Sequence, residues 1–270
     1  NALSKVIDPS NFDTVYGSSS GALNAIYFVT KESDVGLSIY SENATDKMCT
    51  NIWNFPNVLN VDWLVDEWIF DKKSFNYENL SKSPTSVIFS LTNIANGEAD
   101  YFSAKGVDKQ KLNQAMKATS YAPLLTNATQ TIDGITYNDG AVADAIPLER
   151  AILDGCTHIV CLLTRNIEYR KGKGSILKKL YYKFRLSRYS DKYIKSYHQS
   201  MNRYNLTMKK LYEEDISVPV LVLHPNEPFE MPGNIETRPS VIKSKGDLSE
   251  ELIYCQLNKN FPELFPNSAK

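Results

Sequence analysis

The stretch Val15-Tyr16-Gly17-Ser18-Ser19-Ser20-Gly21-Ala22-Leu23 decides how the rest of this sequence is read. Two β-formers lead into a Gly-x-Ser-x-Gly pentapeptide, and Ala22-Leu23-Asn24-Ala25-Ile26 continues at helical spacing. Strand, tight turn and helix in that order make a nucleophile elbow. The serine sits on a strained turn, and small residues two places to either side let strand and helix approach. Ser19 is the central serine and the candidate nucleophile, with Ser18 and Ser20 as neighbours. The backbone N–H of Ser20, at the positive end of the helix, is the visible half of an oxyanion hole. The plainer reading is a Ser/Gly loop, which the flanking strand and helix patterns argue against.

Outward from the elbow, the chain alternates short apolar runs with helical patterns. Thr14 to Tyr16, Ser86 to Thr92, His158 to Thr164 and Val218 to His224 are apolar on both faces, as buried parallel strands are. Helices are expected over Ser20 to Thr30, Asp62 to Phe70, Lys109 to Thr119 and Pro147 to Asp154, with one or two more within Ser175 to Glu214. The order predicts a three-layer α/β/α domain with a mostly parallel central sheet. At 270 residues, without a repeat or a long linker, a single domain is expected across 1–270. Asp133-Gly134 between β-formers predicts a two-residue hairpin turn, leading into Asn138-Asp139-Gly140.

A serine hydroxyl attacks poorly until something accepts its proton. Three histidines are available. His158 precedes an apolar strand and His198 lies in a basic helical region. His224 ends the Val218 to Leu223 run, where a hydrolase histidine can sit, so an α/β-hydrolase arrangement using Ser19 and His224 stays open. The competing base is Asp139, whose Asp-Gly dipeptide is by itself equally a turn signal.

At this point the sequence resembles the patatin-like phospholipases, whose elbow is followed far downstream by Asp-Gly-Gly or Asp-Gly-Ala, matched here by Asp139-Gly140-Ala141. Ala118-Thr119-Ser120-Tyr121-Ala122-Pro123 and Ala145-Ile146-Pro147-Leu148-Glu149 are similar to the segments that precede and follow that motif. The region down to about Pro225 resembles a bacterial subgroup with a basic helical insert. The resemblance implies a lipid acyl hydrolase with a Ser19–Asp139 dyad and an acyl-enzyme, acting on phospholipid or other lipid esters without metal or other cofactor. Gly17, Ser20 and Gly21 would shape the elbow and oxyanion site, and Gly140 and Ala141 the supporting turn. The family also carries a glycine-rich loop upstream of the elbow, and nothing before Asn11 matches it. That departure keeps a catalytically silent lipid-binding protein of the same fold as an alternative.

The net charge of −1 hides an uneven distribution: residues 165–210 hold 14 Lys/Arg against Glu168 and Asp191. Within this insert, assigned to 165–214, Ile176, Leu177, Leu180, Tyr181 and Phe184 recur at helical spacing between Lys178, Lys179, Lys183 and Arg185. A basic amphipathic helix of this kind suits an anionic membrane surface; a helix packed on the domain with a solvated basic face suits the pattern equally. No nucleic-acid module is recognisable. The four cysteines lack metal-ligand spacing. No apolar run spans a bilayer and no signal peptide is visible, so a cytoplasmic or peripheral-membrane protein is expected.

Overall fold

The computed structural model describes residues 2–43, 49–51, 53, 57–172, 176–225 and 238–261. The strands are β1 (Thr14–Gly17), β2 (Ser86–Asn93), β3 (Ala99–Ser103), β4 (Gln130–Ile132), β5 (Ile135–Asp139), β6 (Ile159–Leu162) and β7 (Val220–Leu223). The helices are α1 (Ala2–Val6), α2 (Ser20–Val29), α3 (Ser33–Ser38), α4 (Val61–Trp63), α5 (Tyr77–Lys82), α6 (Lys109–Ser120), α7 (Leu148–Leu153), α8 (Ile176–Leu186), α9 (Asp191–Glu213) and α10 (Pro239–Asn260). α4 runs on as a π-helical stretch, Leu64–Lys72, so the helix expected over 62–70 is present in two geometries. The fold is the mixed α/β one expected.

The four apolar runs form the parallel pairs. β1 lies beside β2, with Thr14 opposite Ser86 and Gly17 opposite Phe89. β6 lies beside β7, with Ile159 opposite Val220. The remaining pairings are antiparallel and local in origin: β3 returns along β2, and β4 and β5 form a hairpin that joins the other side of β2. Asp133 and Gly134 both have positive φ, 49° and 81°, the requirement of the tightest hairpin turn.

β2 acts as the ruler that assembles the site. Gly17 ends β1 opposite Phe89, and Asp139 ends β5 opposite Leu91. Two residues along a strand are about 6.6 Å apart. β1 and β5 run in opposite directions on the two sides of β2, yet both chains end at the same level, so residues 120 apart in sequence meet there.

The core under this junction is built from β2, α2 and α6. Ile26, Phe89, Leu112, Ala115 and Met116 are fully buried and pack as one cluster with Leu91 and Ala22. Truncating Leu112 to alanine there would cost about 2–5 kcal/mol, the transfer energy plus the cavity it leaves. A second cluster joins Leu148 and Cys161 to Met208 and Leu211 of α9. α9, about 34 Å long at 1.5 Å per residue, therefore braces both sheets. Its start is held by Ser190, whose side chain caps Tyr193 N–H and whose Oγ donates toward the carbonyls of Ile94 and Ala95 in the β2–β3 turn. Gly97 in that turn has φ 74°, and a Cβ there would come within 2.7 Å of the Ser196 side chain, so the close seat of α9 requires glycine.

Candidate active site

Ser19 has φ 53° and ψ −128°, a left-handed backbone that costs a non-glycine residue about 1–3 kcal/mol and persists only when its surroundings enforce it. Three contacts enforce it. Ser19 N–H donates to Thr119 Oγ1 at 2.9 Å, and Thr119 Oγ1 donates onward to the Ser90 carbonyl at 2.9 Å. Ala22 N–H donates to the Ser19 carbonyl at 2.9 Å, opening α2. Gly17 lies so close to the helix that a Cβ would meet the backbone N and Cα of Ala22 at 2.6 Å.

The steric reason expected for both glycines of the pentapeptide holds at one of them. Around Gly21 a Cβ would find nothing within 4 Å, so the structure corrects that expectation. Ser20 is the first residue of α2, where backbone N–H groups lack intrahelical acceptors.

Asp139 is 8% exposed. Its Oδ2 accepts from Ser19 Oγ at 3.4 Å and its Oδ1 accepts from Ala141 N–H at 2.9 Å. Asp139 N–H donates to the Tyr121 carbonyl at 3.3 Å, and Thr92 Oγ1 donates to the Asp139 carbonyl at 2.7 Å. Burial raises the carboxyl from its ordinary 3.8 to about 6, against the opposing pull of Ala141 N–H, the Ser19 hydroxyl and the Lys171 ammonium. Gly140 is forced by packing: a Cβ would lie 1.9 Å from the Ser90 carbonyl oxygen. Ser90 thus touches both halves of the site, accepting from Thr119 and pressing on Gly140.

The structure brings together Gly17, Ser19, Ser20, Asp139, Gly140 and Ala141. The histidines lie elsewhere in the contact network. His224 Nδ1 is 2.9 Å from the Pro225 carbonyl, and its backbone N–H and carbonyl are paired with the Gln256 side chain of α10. His158 contacts Thr157, and His198 lines an open groove beside Ile194 and Leu186. Thr119 was quoted in the sequence only as part of a resembling segment. Its part in holding the elbow depends on an approach between residues 100 apart, which no local pattern announces. Among the described residues there is no group of three or more His, Cys, Asp or Glu side chains arranged to hold a metal ion.

Comparison with known proteins agrees with this geometry. Over 166 residues the chain is 24% identical to the uncharacterized protein YjjU of Escherichia coli (strain K12), a match that covers 57% of this chain and 43% of that relative. The aligned part therefore spans less than half of the relative's length. The model of the patatin-like phospholipases matches residues 7–152, a segment that contains the elbow, the Asp139 turn and every strand of the five-stranded sheet. With more than half of its length matched, this chain belongs to the patatin-like phospholipase family, whose members are lipid acyl hydrolases.

Proposed function

We propose that the protein hydrolyses an acyl ester of a phospholipid or related lipid through a Ser19–Asp139 dyad. The observation that carries the reading is the 3.4 Å approach of Ser19 Oγ to Asp139 Oδ2 at a serine held with φ 53°. Catalytic hydrogen bonds are often long without substrate and tighten when it binds. In the forward step Oγ attacks the ester carbonyl while its proton passes to Oδ2. The tetrahedral oxyanion forms beside Ser20 N–H at the start of α2. As the acyl-enzyme forms, protonated Asp139 returns the proton to the departing alcohol. Water then repeats the sequence, with Asp139 as base, and releases the fatty acid.

A partner surface belongs to the same proposal. α8 is oriented opposite to an ordinary soluble helix. Its cation Arg185 is 4% exposed and donates to Asn127 Oδ1 and to the carbonyls of Pro123 and Thr126, while Tyr181 OH donates to the Leu124 carbonyl. Leu180 and Phe184, one turn apart, are 66% and 71% exposed. The side chains at 176–179, including Ile176, Leu177, Lys178 and Lys179 of the expected stripe, lie outside the described residues. An apolar groove of about 580 Å³ lined by Leu186, Ile194 and Lys183 opens alongside. Tyr182 packs on Tyr197 with ring centroids 6.0 Å apart, and Tyr197 faces the Asp139 charge, so α8 stands near the site. Outward apolar side chains in a segment of net positive charge fit an anionic bilayer surface. Among the described residues no helix is long and apolar enough to cross a membrane.

The test is covalent labelling with a fluorophosphonate followed by turnover on a lipid panel. Wild type is expected to label and Ser19→Ala to remain unlabelled; equal labelling of both, or near-normal turnover by Asp139→Asn, overturns the dyad. Binding to anionic vesicles is expected to exceed that to neutral ones and to weaken with salt, since exposed charges are screened over about 8–10 Å near physiological ionic strength.

A further inference from the structure

α9 carries a second device besides its bracing role. Arg203 donates to the carbonyls of Ala143 at 3.0 Å and Val142 at 2.7 Å, just beyond the Asp139 turn. The next two residues of the helix, Tyr204 and Asn205, take hold of Lys171. Asn205 Oδ1 accepts from Lys171 N–H at 2.7 Å and Asn205 Nδ2 donates to the Lys171 carbonyl at 3.0 Å. This two-point grip fixes the backbone of a residue in the connection between β6 and α8. The Lys171 ammonium lies 4.2 Å from the centroid of the Tyr204 ring, a cation–π seat that limits where the charge can go.

The geometry points to a role, resting on the dyad reading above: we propose that Lys171 is a positioning residue for acyl transfer, a cation clamped by Asn205 and Tyr204 that faces Asp139 and keeps its carboxylate ready for the Ser19 proton. Asp139 is buried and its negative charge is disfavoured there. Lys171 is the cation whose charge acts on it, and the interaction is mutual: burial draws the ammonium's pKa down, Asp139 pushes it back up and Arg165 lowers it. The other groups facing Asp139 are the Ser19 hydroxyl, Ala141 N–H, and from α9 the phenols of Tyr193 and Tyr197. Burial raises both phenols far above the working range, so they stay neutral and the pH response belongs to Asp139 and Lys171. Once Asp139 has taken the proton, the same cation favours its release to the leaving alcohol.

Lys171→Met and Lys171→Gln remove the charge, and Lys171→Arg keeps it. For the first two, the acid limb of kcat/KM is expected to move to higher pH, with a loss at about pH 5.5 several-fold greater than at about pH 8.5; the arginine variant keeps the wild-type limb. Carboxyl-carbon NMR supplies a readout that needs no turnover. The resonance missing from Asp139→Asn is expected to titrate at higher pH in Lys171→Met than in wild type. An unmoved titration in a charge-removing variant that melts like wild type overturns the proposal. If Asp139→Asn keeps its turnover, the dyad reading fails instead, and the NMR titration still decides whether Lys171 acts on Asp139.

Discussion

The two walls of the site are built on opposite rules. The wall formed by β1, β2, β5 and α2 is dry, and its precision comes from close backbone approach: Gly17 against Ala22 and Gly140 against Ser90 leave no room for a methyl group. The wall formed by the insert is polar and aromatic. It attaches through side chains that reach for backbone oxygens, Arg185 to Pro123 and Thr126, Arg203 to Val142 and Ala143, Tyr181 to Leu124. Backbone contact gives positional accuracy at the reacting atoms. Long side chains give a wall that can differ in sequence while the reacting atoms stay put, which suits the part that meets substrate or membrane.

The sharpest way to break this comparison is to remove chemistry from the dry wall without changing its shape. Asp139→Asn keeps the acceptor for Ala141 N–H but cannot take a proton. Turnover is expected to fall on the order of 10²–10⁴-fold, the usual worth of a positioned general base, with the fold retained by circular dichroism. Steady-state kinetics on a soluble ester checks it, and a loss of less than tenfold assigns the base elsewhere.

A second experiment sets glycine against glycine. Gly140→Ala must place a Cβ where the Ser90 carbonyl already is, at 1.9 Å, and is expected to cost about 2–3 kcal/mol or more of stability. Gly21→Ala meets open space in a helix, where alanine is the better residue by about 1 kcal/mol. Denaturant unfolding is expected to move the two variants in opposite directions. A stable Gly140→Ala protein means that the turn can shift away from Ser90.

The pH dependence of stability sharpens the account of the buried carboxyl. Asp139 titrates near 6 in the fold and near 3.8 as an ordinary carboxyl, so between those values the folded state binds more protons than the unfolded one. Its contribution is fully present below about 3.8 and is lost as pH rises through about 6, by about 3 kcal/mol in all. Asp139→Asn should remove this downward slope, so that melting curves of variant and wild type diverge as pH rises through the window. Parallel curves at all pH values indicate a carboxyl that is solvated rather than buried. Activity runs in the opposite sense, rising as the carboxylate forms near pH 6, so the protein is expected to gain rate over the range where it loses stability.

Much of the dry wall was legible in the sequence, because its signals are local. Apolar runs such as Ser-Val-Ile-Phe-Ser-Leu-Thr mark a strand buried on both faces, and Asp133-Gly134 marks a turn needing two positive φ angles. β3 went unread because Ala-Asp-Tyr-Phe-Ser is half exposed and gains its strand character from pairing with β2. α10 went unread because its polar residues mask the face that holds Leu257 in the core. Thr119 and Lys171 were illegible as site residues for another reason: each acts through a neighbour distant in sequence. The orientation of α8 was beyond the pattern as well. Periodicity shows which residues share a face, and Arg185 turned inward only because three acceptors at 123–127 wait for it.

The smallest expected effect tests that orientation. A Leu180→Ser/Phe184→Ser double substitution touches side chains that are mostly solvent-exposed, so the folded state loses little packing and the melting temperature is expected to stay nearly constant. On a bilayer the same side chains would bury apolar surface at about 25 cal/mol per Å², and partial insertion of both corresponds to roughly a tenfold loss of vesicle partitioning. Arg185→Met makes the reciprocal case: it strips three backbone and amide acceptors of their donor and is expected to lower the melting temperature before it changes binding. Vesicle sedimentation and thermal melting on the two variants therefore separate an outward apolar face used for contact from an inward cation used for structure. If the serine double variant melts early and binds normally, Leu180 and Phe184 belong to the fold's own packing, and the two walls differ less than their contacts suggest.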